Sequence, residues 1–408
     1  MKSLMVLLVA YGCCVWLAPF PYWPTYFKLW QAVLLGRGSG NHPRARVKQA
    51  GLLLRYALLH PLWTLLWCLD ELMFPAYRSQ VIKPIFIIGQ PRSGSTLLHR
   101  MLAADEKHFL AVRHIEWRLP FISIQKLIRL FGIADWLRKA SYWPNTDEGR
   151  SAARMHPNNL YDWEEDAIFF EERFLHHYFV LFRFPYLDLL SYLDEFDVIS
   201  PQARQNILET HRRVIQKMMY LGSAHRLYLS KEVESVTKMR QIAEMYPDAT
   251  FIMLARRSSS FMNSLLALIA SSTFSKTGVN TSQLPGWKER AIAKKQQDGL
   301  RLLDFLEHVG EDSQIRISFE ELVRNITQTA SLIYDRLGLT LSLDDLQRLD
   351  HLGREQMTRD RGYEYHKPRF EGFESYDAFV AEVDKDHRLL LSRTSGTAAT
   401  ASSPHRSP

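Results

Sequence analysis

The sequence predicts an α/β fold: a P-loop-like, three-layer arrangement with a central parallel sheet, preceded by hydrophobic N-terminal helices. Three observations predict it. From Pro84 onward, short apolar runs of strand length alternate with amphipathic stretches, the pattern of parallel strands covered by helices. The run Pro84–Ile88 contains no polar side chain and stops at Gly89, as a strand buried on both faces does. The residues that follow, Gly89–Thr96 (GQPRSGST), have the G-x-x-x-x-G spacing of a tight strand-to-helix turn whose backbone N–H groups converge on an anion.

The strands expected are Ile85–Ile88, Phe109–Val112, Arg226–Leu229, Thr250–Leu254 and Gln314–Ser318, with no internal repeat. Open α/β sheets bind ligands at the carboxyl edge. That edge should carry the glycine loop, His114 and Glu116 in the loop after the second strand, and Lys231 at the end of the third. The loop departs from that of a nucleotide triphosphatase. Ser95 stands where a lysine would reach the β and γ phosphates, and the cation lies inside the loop as Arg92. The expected ligand is a short anionic group rather than a magnesium-chelated triphosphate.

Pro91-Arg92-Ser93-Gly94-Ser95-Thr96 closing an apolar strand resembles the 5'-phosphosulfate loop of the sulfotransferases that use 3'-phosphoadenosine 5'-phosphosulfate. It is most similar to the PRSG[ST]T branch shared by bacterial and tyrosylprotein sulfotransferases. A second stretch carries the same resemblance. Tyr246-Pro247-Asp248-Ala249 leads into a strand ending at Arg256, and Ser264 follows eight positions later. An arginine fork and a helical hydroxyl both suit phosphate.

The resemblance spans about Val81 to Tyr376 and implies a set of roles. Gly89, Pro91, Arg92, Ser93, Gly94, Ser95 and Thr96 would hold the 5' end of the cofactor. Arg256 and Ser264 would grip its 3'-phosphate, with Arg257 as the alternative to Arg256, and Phe319 would lie by the adenine. Lys231 matches the family's lysine. Trp163 and the acidic step Glu164-Glu165-Asp166 would flank an acceptor pocket walled by the aromatic-rich stretch 158–187. The acceptor's proton would go to Glu116 or, failing that, His114. Arg359–Phe373, with its His366-Lys367 step, would close over the nucleotide.

Composition frames these readings. The chain has 408 residues, 46% hydrophobic and 23% charged, which is globular rather than disordered. A net charge of +7 suits an anionic cofactor or membrane surface. No zinc-finger spacing, RNP-like sequence or basic helix points to nucleic acid. The three cysteines, Cys13, Cys14 and Cys68, all precede the glycine loop, so neither a disulfide nor a zinc site is expected beyond it, and no metal is invoked.

Four segments follow: 1–30, a hydrophobic membrane anchor; 31–80, amphipathic or interfacial helices; 81–392, the sulfotransferase domain; and 393–408, a disordered tail. Leu4–Phe20 reads as an anchor, a signal-peptide core or a buried helix, and the basic residues after it would keep the bulk of the protein cytoplasmic. Gly51–Phe74 reads as two short helices parted at His60-Pro61. Their Trp63 and Trp67 would lie either in the membrane interface or against the catalytic domain. The acceptor is an unidentified small molecule or lipid bearing a hydroxyl or amine. A P-loop kinase or hydrolase, and a membrane-peripheral nucleotide-binding protein without catalysis, are the competing functions. Oligomeric state leaves no trace in the sequence.

Overall fold

A computed structural model describes residues 2–17, 19, 21–36, 43–176, 182–185, 196–222, 225–233, 236–281 and 284–358. The expected closing loop 359–373 and the tail from 393 lie outside these residues, as do Tyr178, Phe179 and Tyr186 of the aromatic stretch. The chain forms two compact units. A sheet unit comprises Lys83–Ala111, His225–Leu268 and the chain from Lys288; a helical unit comprises Met1–Ile82, Val112–Ala224 and Ile269–Trp287.

Among the described residues, the sheet unit contains five parallel strands in the order β2-β3-β1-β4-β5. They are β1 (Pro84–Gly89), β2 (Phe109–Leu110), β3 (Leu227–Lys231), β4 (Thr250–Ala255) and β5 (Gln314–Ser318). Each falls where the apolar runs predict it. Every residue of β1 is buried, as its uninterrupted apolar sequence requires. Phe86 stacks on Phe251 of β4, with ring centroids 5.6 Å apart. Phe251 in turn meets Phe305 of the helix Trp287–His308 edge-on at 5.0 Å. The chain builds β2 and β3 on one side of β1 and then β4 and β5 on the other. The carboxyl end of β1 is therefore the switch point where open sheets form a ligand crevice.

Strand β2 is shorter than expected. Pairing stops at Leu110, and the Val112 carbonyl accepts instead from the backbone N–H of Glu164. His114 and Glu116 consequently lie in a short helix, His114–Arg118, rather than in the expected loop.

In the helical unit, α1 (Lys2–Leu17), α2 (Trp23–Leu35) and α3 (Pro43–Met73) run up, down and up. Tyr26 of α2 donates to the Leu53 carbonyl, while Arg46 of α3 donates to the carbonyls of Val33 and Leu34. The stretch expected as two helices over Gly51–Phe74 is a single helix through Met73. Proline at position 61 has no N–H for the Ala57 carbonyl four residues back, and such a gap ordinarily breaks a helix. Here the Tyr11 hydroxyl of α1 donates to Ala57 at 2.6 Å and fills the vacancy.

Trp63 and Trp67 face inward, 7% and 9% exposed, which decides their role in favour of packing. They belong to a buried stripe at alternating spacings of four and three that also includes Tyr56, His60 and Asp70. Among the described residues α3 is the one helix long and apolar enough to cross a membrane by length and composition, over Ala45–Met73.

Asp70 ties the end of α3 into the helical unit. Its carboxylate accepts from the backbone N–H groups of Ile122 (2.6 Å) and Ser123 (3.0 Å), capping the helix Ile122–Leu130. It also pairs with the fully buried Lys217 ammonium at 3.1 Å, which lies 3.7 Å from the centre of the Trp67 ring. Removing one partner of a buried ion pair strands the other. Asp70→Ala is expected to lower unfolding stability by about 3–5 kcal/mol in a denaturant titration. An unchanged midpoint would mean that α3 contributes nothing to the folded unit.

Candidate active site

The glycine loop leaves the buried end of β1 and turns into the helix α4 (Ser95–Ala103). Its two glycines are obligatory. Gly89 has φ +141°, and a Cβ there would lie 2.2 Å from the Leu254 carbonyl oxygen of the adjacent strand. Gly94 has φ +87°, with the Phe319 ring 3.0 Å from where a Cβ would be. Gly94 occupies the N-cap and brings no side chain to cap α4, so the first-turn N–H groups and the helix dipole are presented to an anion.

Between the glycines the loop braces itself and is braced from β4. Ser93 donates its hydroxyl to the Gln90 carbonyl at 2.5 Å. Arg92 adopts a left-handed backbone, φ +61°, which is uncommon for a residue with a side chain. That geometry has an external support: the Arg256 guanidinium donates to the Arg92 carbonyl at 2.6 Å. The Arg256 backbone N–H donates to the Gln90 side-chain oxygen at 3.2 Å. Phe319, at the start of the helix after β5, lies beneath the same guanidinium at 4.1 Å. One face of its ring is thus covered by Arg256, while its edge meets Gly94.

The side chain of Arg92 reaches the other motif. Its Nε donates to the Ser264 hydroxyl at 3.0 Å across 172 residues of sequence. Lys231, buried at the end of β3, donates to the Thr96 hydroxyl at 3.2 Å. Arg92, Thr96, Lys231, Arg256 and Ser264 therefore converge on one loop. Arg257 is exposed, so the staple belongs to Arg256. Gln90 was not singled out from sequence, although its place between the first glycine and Pro91 was visible.

A family model described as the sulfotransferase family matches residues 84–345. The chain belongs to the sulfotransferase family. Its fold is shared by sulfotransferase STF1 from Mycobacterium tuberculosis, at 18% identity and TM-score 0.60, covering 88% of this chain and 90% of that one. Sulfotransferase STF9 from Mycobacterium avium aligns at 14% identity and TM-score 0.66, covering 90% and 95%. No curated protein sequence matches this member of the family.

The acceptor-side residues lie in the helical unit, where the structure gives them internal partners. Glu116 accepts from the Arg113 backbone N–H at 2.8 Å, holding the N-terminal end of its own short helix. His114 is fully buried, and its Nε2 accepts from Arg118 Nε at 2.7 Å. Burial first, then the charges of Arg118, Lys276 and His156, hold its pKa well below the ordinary histidine value, so the ring is neutral. The Arg113 guanidinium lies 4.8 Å over the Trp163 ring. Glu164 accepts from Asn158, and its carbonyl accepts from the Trp117 indole at 3.4 Å. Glu165 is buried. Asp166 accepts from His211 at 2.8 Å in a pair almost without solvent contact. The acids thus organise the interior of the unit rather than an open surface.

A polar chain that no sequence pattern announced runs from α3 into this region. Tyr56 donates to Glu172, and Glu172 pairs with Arg118, the donor to His114. Its members are drawn from segments separated by 116 and 54 residues, so spacing alone could not find it.

Behind the loop, α4 carries His99, whose pKa is pushed down to about 3, chiefly by burial and then by the charges of Lys231 and Arg100. The unfolded chain protonates it near 6.5 while the fold keeps it neutral. Stability from this residue is therefore complete above pH 6.5 and declines as pH falls toward 3, by up to about 1.4 kcal/mol per pH unit. Thermal melts should show that slope, and His99→Gln should flatten it. An identical slope in the variant would assign the acid sensitivity to other groups.

Proposed function

We propose that this sulfotransferase takes its sulfuryl group from 3'-phosphoadenosine 5'-phosphosulfate and passes it to a hydroxyl or amine of an apolar, lipid-like acceptor. The observation that carries the donor assignment is the contact between Arg92 and Ser264. It joins the glycine loop to the serine expected at the 3'-phosphate, within one cationic cluster. The residues fit the donor. The glycine cradle with Arg92, Ser93, Ser95 and Thr96 suits the 5' phosphosulfate, Arg256 and Ser264 suit the 3'-phosphate, and Lys231 beside Thr96 adds positive charge where the leaving phosphate gains negative charge. When bound, the donor supplies a sulfuryl group whose bond to the phosphate oxygen breaks as the acceptor attacks in line. The protein's part is positioning and charge stabilisation. Ser95 in place of a P-loop lysine disfavours the kinase and hydrolase readings.

Arg256 also holds the loop backbone, so Arg256→Ala should weaken binding both of 3'-phosphoadenosine 5'-phosphate and of adenosine 5'-phosphate, and of the former more. Ser264→Ala should lower affinity for the first by about tenfold to a hundredfold and leave the second nearly unchanged, measured by calorimetry. Equal losses for Ser264→Ala would reduce Ser264 to a support for Arg92 and remove the 3'-phosphate assignment.

Glu116 is our choice for the base that accepts the proton of the acceptor. His114 is a poor second, since its lone pair at Nε2 is committed to Arg118 and its basicity is suppressed. Glutamine at position 116 can still accept from the Arg113 N–H and preserve the cap. Glu116→Gln should therefore keep nucleotide affinity and melting temperature while lowering turnover by roughly 10²- to 10⁴-fold. Near-normal turnover would make Glu116 a helix cap and nothing more.

A further inference from the structure

α3 has two opposite faces of unusual character. Its inner stripe is bonded to the helical unit from end to end: Gln49 donates to the Arg183 carbonyl, Tyr56 to Glu172, and Asp70 accepts from Ile122 and Ser123. Its outer stripe consists of Leu54, Leu58, Leu62, Leu65, Leu69 and Leu72, every one of them exposed and Leu72 as much as 80%. On α1, the consecutive residues Leu4 to Val9 are each at least 60% exposed, so the helix shows apolar surface on all sides at once.

We propose that these surfaces seat the protein on an anionic bilayer as a monotopic insertion, with α3 lying in the plane of one leaflet and no segment crossing. The length of the inner stripe decides the orientation. Gln49 to Asp70 spans about 32 Å of helix at 1.5 Å per residue, and a hydrocarbon core is about 30 Å thick. A crossing α3 would carry Gln49, Tyr56, Asp70 and the polar groups bonded to them into lipid, where each would meet a heavy desolvation cost. Lying flat, α3 keeps that stripe on its own protein and turns its leucine stripe to the acyl chains. α1, at about 24 Å, is too short to span. It is tied to the same helix by Tyr11 on Ala57 and by Thr64 on the Cys14 carbonyl.

Charge selects the occupant. Seven Lys and Arg residues and no acid precede Asp70, while the rest of the chain is balanced at 44 Asp and Glu. The whole excess of +7 therefore belongs to the segment of sequence that carries the leucine face. Within that segment Lys28 of α2 and Lys48 and Arg55 of α3 are exposed. A bilayer with anionic headgroups meets both features, since basic residues at such a surface each add attraction. A second copy would bring like charges together, and no single protein face can cover a helix exposed all round.

The test uses the full-length protein. Sedimentation with phosphatidylcholine vesicles, with and without phosphatidylglycerol, should show about tenfold or greater preference for the anionic set, weakened by salt. Leu58→Asp with Leu65→Asp should abolish binding, as both side chains are exposed and leave the packing untouched. Topology is read in sealed membrane vesicles on a background of Cys13→Ser, Cys14→Ser and Cys68→Ser. Lys48→Cys and Val81→Cys, near the two ends of α3, should react with an impermeant maleimide from the same side. Labelling from opposite sides would overturn the monotopic arrangement. Undiminished binding by the aspartate variant, indifference to phosphatidylglycerol, or a dimer that ignores vesicles would overturn the docking surface.

Discussion

Between the Arg256 guanidinium and the Arg92 carbonyl lies the contact on which the glycine loop depends. Arg92 holds a backbone conformation that its side chain disfavours, and it does so in a loop whose glycines must also adopt positive φ. Local sequence would let such a loop relax. Arg256 prevents this from the neighbouring strand by holding the carbonyl on one side while Phe319 braces the guanidinium on the other. Preorganisation of this kind means that anion binding does not have to order the loop. It also makes Arg256 a component of the cradle as well as a prospective phosphate ligand.

Much of the sheet unit was legible because its signals are local. The uninterrupted apolar run that ends at Gly89 has the pattern of a buried strand at a turn, and all five strands appear where short apolar runs lie. The glycine loop and the Arg256–Ser264 spacing were visible as well, through their resemblance to motifs of the family. What the sequence did not disclose was their mutual bracing, because Arg92 and Ser264 become neighbours only when β1 and β4 pair.

The helical unit was harder to read, for identifiable reasons. Pro61 argued for a break in α3, and the compensating hydroxyl lies 46 residues away. Trp63 and Trp67 have the composition of an interfacial belt, yet a buried lysine and its aspartate draw that face inward. The acidic step at Glu164 was visible, but its role depends on Asn158, Trp117 and His211, which no spacing rule connects to it. Long-range polar satisfaction governs this unit, whereas strand periodicity governs the other.

The placement of charge bears on how the protein can be handled. Trimming the apolar N-terminal helices is the usual route to a soluble form of such a chain. Here the remainder, from Asp70 on, would have equal numbers of acidic and basic side chains and a formal net charge of zero near neutral pH. It would lose the electrostatic repulsion that keeps particles in solution dispersed. It would also uncover the faces of Glu172 and Lys217 that Tyr56 and Trp67 now shield. Truncation would thus favour precipitation, and an amphipathic substitute for the leaflet, such as a mild detergent or lipid nanodisc, is the appropriate companion for the intact chain.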